Sequence, residues 1–289
     1  MTWDWDLLRL SSAIVAGALL SFSGSLIQIT SRNELASPST LGMDGAAVLA
    51  VMAAYLLQTA GLSTLPLGTL AFLVGSGSAL IVFLFTGRSS NLGLRDFRVI
   101  LLLGLGINLL VGSIFAVMQF LAMAFNQEFP EQLWFGRMST LSPVGWALLG
   151  VVAIPVGIFC FQHRRHWKAL LLGKDWCYGL GVPVERMTRE SIALSFVCTL
   201  WVVTHFGVFS FIGLLFPLVL RQMSYFRGEP WREMTAGAIG AGGLFSLLDH
   251  ACYNLTFHGA EIPVGLPAGV LGAAALVTLL WRRSKKASG

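Results

Sequence analysis

Charge is what this sequence has least of. Of its 289 residues 11% are Asp, Glu, Lys or Arg, 55% are hydrophobic, and the mean hydropathy is +0.75. A soluble domain carries about 25% charged residues, so this chain cannot dress a water-facing surface of normal size. A soluble enzyme, a nucleic-acid-binding domain and a secreted disulfide scaffold are excluded, which leaves an integral membrane protein. Cysteine is also sparse: Cys160, Cys177, Cys198 and Cys252 form no C-x-x-C, and no disulfide is expected. No G-x-x-x-x-G-K-[ST] occurs, since Gly173-Lys174-Asp175 lacks the upstream glycine and the hydroxyl. No nucleophile–base pair stands out, and the absence of period-2 alternation argues against a β-barrel.

The few charges are clustered. None occurs at 10–31, 45–87, 99–127, 138–163, 191–220 or 262–281. A spanning helix needs roughly 20 apolar residues, so most gaps hold one span. Gly61, Ser63, Thr64 and Pro66 cut the longest gap in two. Spans are predicted near 10–30, 42–58, 66–86, 99–124, 146–162, 191–206, 208–222, 235–256 and 264–281.

The 191–220 stretch is long for one span and short for two. Basic segments flank it at 162–190 and 221–233, and short basic loops stay in the cytoplasm. An even number of crossings must lie between them. Two short helices joined by a tight external turn at Gly207, Ser210 and Gly213 are therefore expected. With that parity, 17 of the 19 basic residues fall inside and only Arg9 and Arg137 outside. The pI near 9.3 is thus a topology signal, not a nucleic-acid signature. The C-terminus is expected inside and the N-terminus outside. Met1–Asp6 has no positive n-region and 10–30 no clear cleavage site, so the outside start suggests that an upstream helix is missing.

Within the spans, Asp249 is read as the only carboxylate. Buried membrane carboxylates are costly and often functional, the alternative being a helix contact satisfied by His250 or Asn254. His163 and His166 bracket two arginines, which oppose a metal, and read better as an interfacial snorkelling anchor. Of the 32 glycines, Gly17/Gly24, Gly104/Gly106/Gly112, Gly237/Gly240/Gly243 and Gly265/Gly269/Gly272 line up on helical faces. Small faces let membrane helices approach closely.

The 162–190 segment is partly apolar, yet too short and polar to span. A helical turn, a Gly-Leu-Gly corner and a second turn are expected. Leu170–Leu172, Trp176, Tyr178 and Leu180 would then be exposed unless they meet a partner. The other reading is a helix lying on lipid headgroups.

At this segment a family resemblance emerges. Leu172-Gly173-Lys174-Asp175-Trp176-Cys177-Tyr178-Gly179-Leu180-Gly181-Val182 resembles the coupling segment, L-G-E-x-x-A-x-x-L-G-V, of FecCD-type permeases. These are the membrane subunits of ABC importers for iron–siderophore complexes, haem and vitamin B12. Asn33-Glu34-Leu35-Ala36-Ser37-Pro38-Ser39-Thr40-Leu41-Gly42 is similar to N-P-L-A-x-P-x-x-L-G. Ser210-Phe211-Ile212-Gly213-Leu214-Leu215-Phe216-Pro217 resembles G-F-I-G-L-x-x-P, and Glu261-Ile262-Pro263-Val264-Gly265 resembles E-L-P-V-G. Lys174 stands where the family has an acidic residue, and Leu218 where it has His.

The resemblance implies an all-α polytopic bundle, the type II ABC importer permease fold, over residues 1–289, with a cytoplasmic coupling segment at 163–190. The family has ten helices, and the nine visible here correspond to its second to tenth. The implied partners are a second permease subunit, two cytoplasmic ATPases that carry ATP and Mg, a substrate-binding protein on the outer face, and membrane lipid. The chain itself would bind no cofactor or metal and catalyse no reaction, and would lie in the bacterial inner membrane. Leu170, Leu172, Gly173, Lys174, Asp175, Gly179, Leu180, Gly181, Val182 and Pro183 would couple to the ATPase. Of the family's R-L-P-R docking motif only Arg9 carries over, in Arg9-Leu10-Ser11-Ser12, and Arg137 and Glu261 are added as docking candidates. The implied path helices are 99–124 and 264–281, with Asn108, Ser113, Met118, Gln119, Gly265 and Gly269 as candidate lining. A ferric siderophore is the expected cargo because that branch is the commoner; cobalamin and haem are alternatives. An ion-coupled secondary transporter using Asp249 is the reading from a different class.

Overall fold

The computed structural model describes residues 3–88, 97–125, 132–163, 166–172, 174–223, 225–226, 228–257 and 260–287. The described residues are overwhelmingly helical: α1 (Trp3–Ser31), α2 (Met43–Thr59), α3 (Leu67–Arg88), α4 (Phe97–Ala124), α5 (Gln132–Phe135), α6 (Pro143–His163), α7 (Trp167–Leu172), α8 (Lys174–Gly179), α9 (Val184–Phe206), α10 (Ile212–Gln222), α11 (Pro230–Asn254) and α12 (Gly265–Ala287). A two-residue antiparallel pairing, β1 (Thr256–Phe257) with β2 (Ala260–Glu261), precedes α12. Helices α1, α2, α3, α4, α6, α9, α10, α11 and α12 take up the nine predicted spans in order. Within α1, α4 and α6 the stretches Leu7–Ser31, Leu102–Ala124 and Pro143–His163 are each long and apolar enough to cross a bilayer alone.

Helix α9 is the central post, packed by α1, α2, α3 and α6. Its second half, from Cys198 to Thr204, is almost completely buried, the hydroxyls of Thr199 and Thr204 included. Inside lipid, helices gain nothing from leaving water, so close packing and polar contacts hold them together. Ser23 of α1 supplies such a contact, hydrogen-bonding Ser195 at 2.5 Å and Thr199 at 3.0 Å on α9. Small residues supply the close packing. Gly24 of α1 lies against Gly213 of α10, where any Cβ on Gly24 would fall inside the Gly213 carbonyl. By contrast α4 leaves most of its apolar surface open, with Leu102, Leu109, Phe120 and Met123 exposed.

The structure corrects the tight external turn predicted between α9 and α10. Gly207–Phe211 is a non-helical stretch that turns back into the bundle: Phe209 is buried on Phe245, and Gly213 sits against Leu20 of α1. Helix α10 then has only 11 residues, about 16 Å at 1.5 Å per residue, half of a hydrocarbon core. Irregular backbone survives at depth only where protein buries it, which is how Gly207 and Phe209 are placed. The even crossing number is kept, because this segment and α10 together return the chain to the end from which α9 set out. Helix α9 also begins at Val184, seven residues before the predicted span.

The charged residues mark two opposite ends. Arg9, Arg137, Asp249 and Glu261 gather at one, and Arg32, Lys168, Arg186, Arg221, Glu229 and Glu233 at the other.

Candidate functional site

The α7–α8 element is built at the second of these ends. Trp167 opens α7 and is wholly buried, its ring edge-on to Phe159 at 5.5 Å. Leu170, Cys177, Val182, Val184 and Met187 continue inward to meet Leu26 and Ile29 of α1 and Met234 of α11. Outside the bilayer such burial is worth about 1.5–3 kcal/mol for each large apolar side chain. Two polar ties add direction. Lys168 bonds Glu229, the cap of α11, at 2.5 Å, and Arg32 at the end of α1 donates to the Leu170 carbonyl at 3.1 Å. The hydrogen bond from Lys168, helped by the charges of Lys168 and Arg232, holds the Glu229 carboxyl below its ordinary value.

The Leu-Gly-Val of the coupling motif is a helix stop. Gly181 takes the left-handed conformation at φ +68°, its N–H donates to Tyr178 O at 3.1 Å, and the Val182 N–H reaches Cys177 O at 2.9 Å. This pair of bonds is a Schellman cap, which favours glycine at the left-handed position and an apolar contact across the stop. Val182 and Cys177 provide that contact, both buried in the same cluster. The spacing A-x-x-L-G-V thus encodes a helix end.

The capped element displays an apolar face. Trp176, Tyr178 and Leu180 are 67, 60 and 64% exposed, with Leu171 and Gly179 beside them. Two expectations are corrected here. Leu170 is buried as an anchor, not displayed, and the Gly-Leu-Gly corner follows both helical turns instead of separating them. Pro183 is exposed at the start of α9. Gly173 lies outside the described residues, as do the side chains of Leu172, Lys174 and Asp175. His163 is not a free anchor: it is buried, its Nδ1 3.1 Å from Phe159 O and its Nε2 3.7 Å from Glu190, which Arg186 also holds at 2.7 Å. Among the described residues no group of three or more His, Cys, Asp or Glu is placed to hold a metal.

At the other end the three docking candidates are drawn together. Arg9 Nε donates to Asp249 Oδ2 at 2.8 Å and its Nη2 to Oδ1 at 2.9 Å. Its Nη1 reaches Glu261 at 3.4 Å, and its guanidinium lies 4.6 Å from the centre of the Tyr253 ring. Arg137 donates to Glu261 at 2.9 Å. Main-chain bonds set the frame, from Arg137 N–H to Phe206 O at 2.8 Å and from Gly265 N–H to Gly136 O at 3.0 Å. Burial alone would raise the Glu261 carboxyl, but the Arg137 hydrogen bond and the two arginine charges hold it below its ordinary value. Two arginines face two carboxylates, so the cluster closes on itself. Asp249 is 3% exposed and its partner is Arg9, whereas His250 and Asn254 bond each other at 3.2 Å. A carboxylate so paired is a poor carrier for a coupled ion.

The candidate path residues separate. Asn108 is a clamp: its Oδ1 accepts from Gly45 N–H at 3.1 Å and its Nδ2 donates to Ser39 O at 2.5 Å. Gly265 sits against the Phe135 carbonyl, Met118 packs on the main core, and Gln119 is half-buried. Ser113 is exposed and bonds its own helix at Leu109 O, and Gly269 faces open space. Asp44 was missed as a membrane carboxylate. It is buried in the first turn of α2 and accepts from Ser39 Oγ at 2.5 Å. Its position inside the span predicted at 42–58 was the available signal.

Comparison with known proteins agrees with this architecture. Residues 1–282 match the model of the FecCD transport family. The vitamin B12 import system permease protein BtuC of Citrobacter koseri is 30% identical over 285 residues, covering 96% of this chain and 82% of the relative. The ferric enterobactin transport system permease protein FepG of Escherichia coli is 28% identical over 286 residues, covering 98% and 83%. Among solved structures, one described as an inward-facing conformation of a metal-chelate type ABC transporter superposes with a TM-score of 0.75 at 22% identity, covering 96% of this chain and 85% of that one. PsaBC from Streptococcus pneumoniae gives 0.52 at 13%, covering 93% and 88%, and at such identities both establish the fold alone. The chain belongs to the FecCD transport family, as an ABC transporter permease.

Proposed function

We propose that this permease moves a ferric siderophore across the bacterial inner membrane, driven by ATP hydrolysis on partner subunits. The observation that carries the ATP-driven part of the reading is the α7–α8 element, a rigidly anchored apolar face of Trp176, Tyr178 and Leu180 beyond the spans; the iron chelate is chosen because that branch of the family is the commoner. Exposed aromatic and aliphatic groups on a fixed base are what a partner protein needs to push against. We assign that end to the cytoplasm, because the topology read from the sequence puts 17 of the 19 basic residues on that side, and a cytoplasmic ATPase to that face. The open apolar surfaces of α4 and α12 suit lipid and a second permease subunit, and a binding protein would dock at the Arg9 end. This chain would hold no nucleotide or cofactor and catalyse no reaction of its own. Alternating access then needs two arrangements of the bundle, each favoured by a different nucleotide state.

Vitamin B12 is the second reading, favoured by the likeness to BtuC. The test is uptake of radiolabelled iron, as several siderophore chelates, and of labelled cobalamin, in cells with and without the gene. Loss of one chelate, restored by the gene, supports the first reading. Loss of cobalamin uptake alone supports the second, and no loss of either counts against both.

A further inference from the structure

The structure ties the α7–α8 element to the distant Arg9 end through one helix pair. Helix α11 has an ion pair near each end: Glu229, its N-cap, meets Lys168 of α7, and Asp249 in its last turns meets Arg9 of α1. Twenty residues separate the two carboxylates, about 30 Å along the axis, the thickness of the hydrocarbon core. Between them α11 is bound closely to the antiparallel α1. A Cβ on Gly17 would stand 2.6 Å from Ala241 O, and one on Gly242 2.6 Å from Ile14 O, so the two backbones nearly touch. Helix α1 is held at the same two ends, by Arg32 to Leu170 O and by Arg9 to Asp249. Below Asp249 the chain passes directly into the β1–β2 turn, whose Glu261 takes both Arg9 and Arg137.

We infer that α1 and α11 form a push-rod that carries movement of α7–α8 to the Arg9 end, with Lys168 and Glu229 as its positioning residues. Close-packed helices shift as bodies instead of deforming smoothly, so a displacement at the α11 cap reappears at Asp249. The Lys168–Glu229 pair lies at the protein surface, with Lys168 exposed and Glu229 half-exposed, so it can be exchanged without disturbing a core. The inference rests on the ABC-importer reading above.

The test uses the full chain, expressed with its own transport system in a strain lacking the chromosomal copy. Uptake of the chelate identified above is measured for wild type, Lys168→Glu, Glu229→Lys and the double exchange, beside membrane abundance and basal ATP hydrolysis. We expect uptake to fall about tenfold in each single variant and to return within about twofold in the exchange, at unchanged abundance and basal hydrolysis. Nitroxide labels on Leu62→Cys and Leu255→Cys, both exposed, read the far end directly. Their separation should change with ATP in wild type and in the exchange, but not in Glu229→Lys. An ATP-dependent change that persists in Glu229→Lys overturns the push-rod, as does an exchange no better than the single variants. Loss of abundance in a single variant also overturns it, because the pair would then be structural. If wild type itself restores no uptake, it is the importer reading that fails.

Discussion

Arg9, at the start of α1, grips Asp249, near the end of α11, through two hydrogen bonds of 2.8 and 2.9 Å across 240 residues of sequence. The pair is almost dry, so each charge is tolerable only because the other is there. Removing one partner of such a pair costs about 3–5 kcal/mol, while replacing both with apolar groups of similar size is often neutral. Asp249→Ala should therefore lower the melting temperature of the purified permease sharply. The double change Arg9→Met with Asp249→Leu should recover most of it. Thermal unfolding in detergent, followed by tryptophan fluorescence, checks both.

The neighbouring Glu261 predicts a pH response with a definite sign. Its carboxyl is held below the ordinary 4.5, so its contribution to stability is complete above that value and is lost as pH falls through the lower folded value. The stability gap between wild type and Glu261→Gln should stay constant from neutrality down to about pH 5, then close in more acid solution. A gap that narrows between pH 8 and 6 would contradict the pairing with Arg137.

The Gly24–Gly213 contact predicts steric intolerance. Gly24→Val should cost more than the roughly 1–3 kcal/mol of ordinary overpacking, since the obstacle is backbone. Gly150→Ala, where a Cβ meets nothing within 4 Å, should leave stability unchanged or raise it by up to about 1 kcal/mol. The yield of folded protein by size-exclusion chromatography separates the two.

The helix stop at Gly181 predicts a fourth effect. Any other residue there must adopt φ near +68°, which costs about 1–2 kcal/mol for an L-amino acid. Gly181→Ala should leave the spans intact while loosening α8, read as faster hydrogen exchange at the Val182 amide that bonds Cys177 O.

The spans were legible because a bilayer forbids charge along the whole length of a helix, and the charge-free gaps print that rule directly. Helix α10 was misjudged because the non-helical stretch at Val208–Phe211 is largely apolar too, and hydropathy cannot tell irregular backbone from helix in a buried segment. The coupling element was legible as a motif, but not which leucine faces inward: Leu170 and Leu171 are neighbours in a six-residue helix, and only contacts with α1 and α11 separate them. Arg9, Arg137 and Glu261 were each singled out, yet their mutual pairing and the capture of Asp249 depend on how α1, α11 and the β1–β2 turn converge. The pairing of Lys168 with Glu229 left no trace in sequence spacing for the same reason.

The most direct test of the account is whether the exposed face of α8 holds the ATPase. A Trp176→Asp, Leu180→Asp double variant keeps the buried anchors Trp167, Leu170, Cys177 and Val182. The measurement is the amount of ATPase subunit that co-purifies with the tagged permease from membranes, against wild type at equal permease level. The ATPase should be lost while permease abundance is unchanged. Full retention of the ATPase by the variant would contradict it.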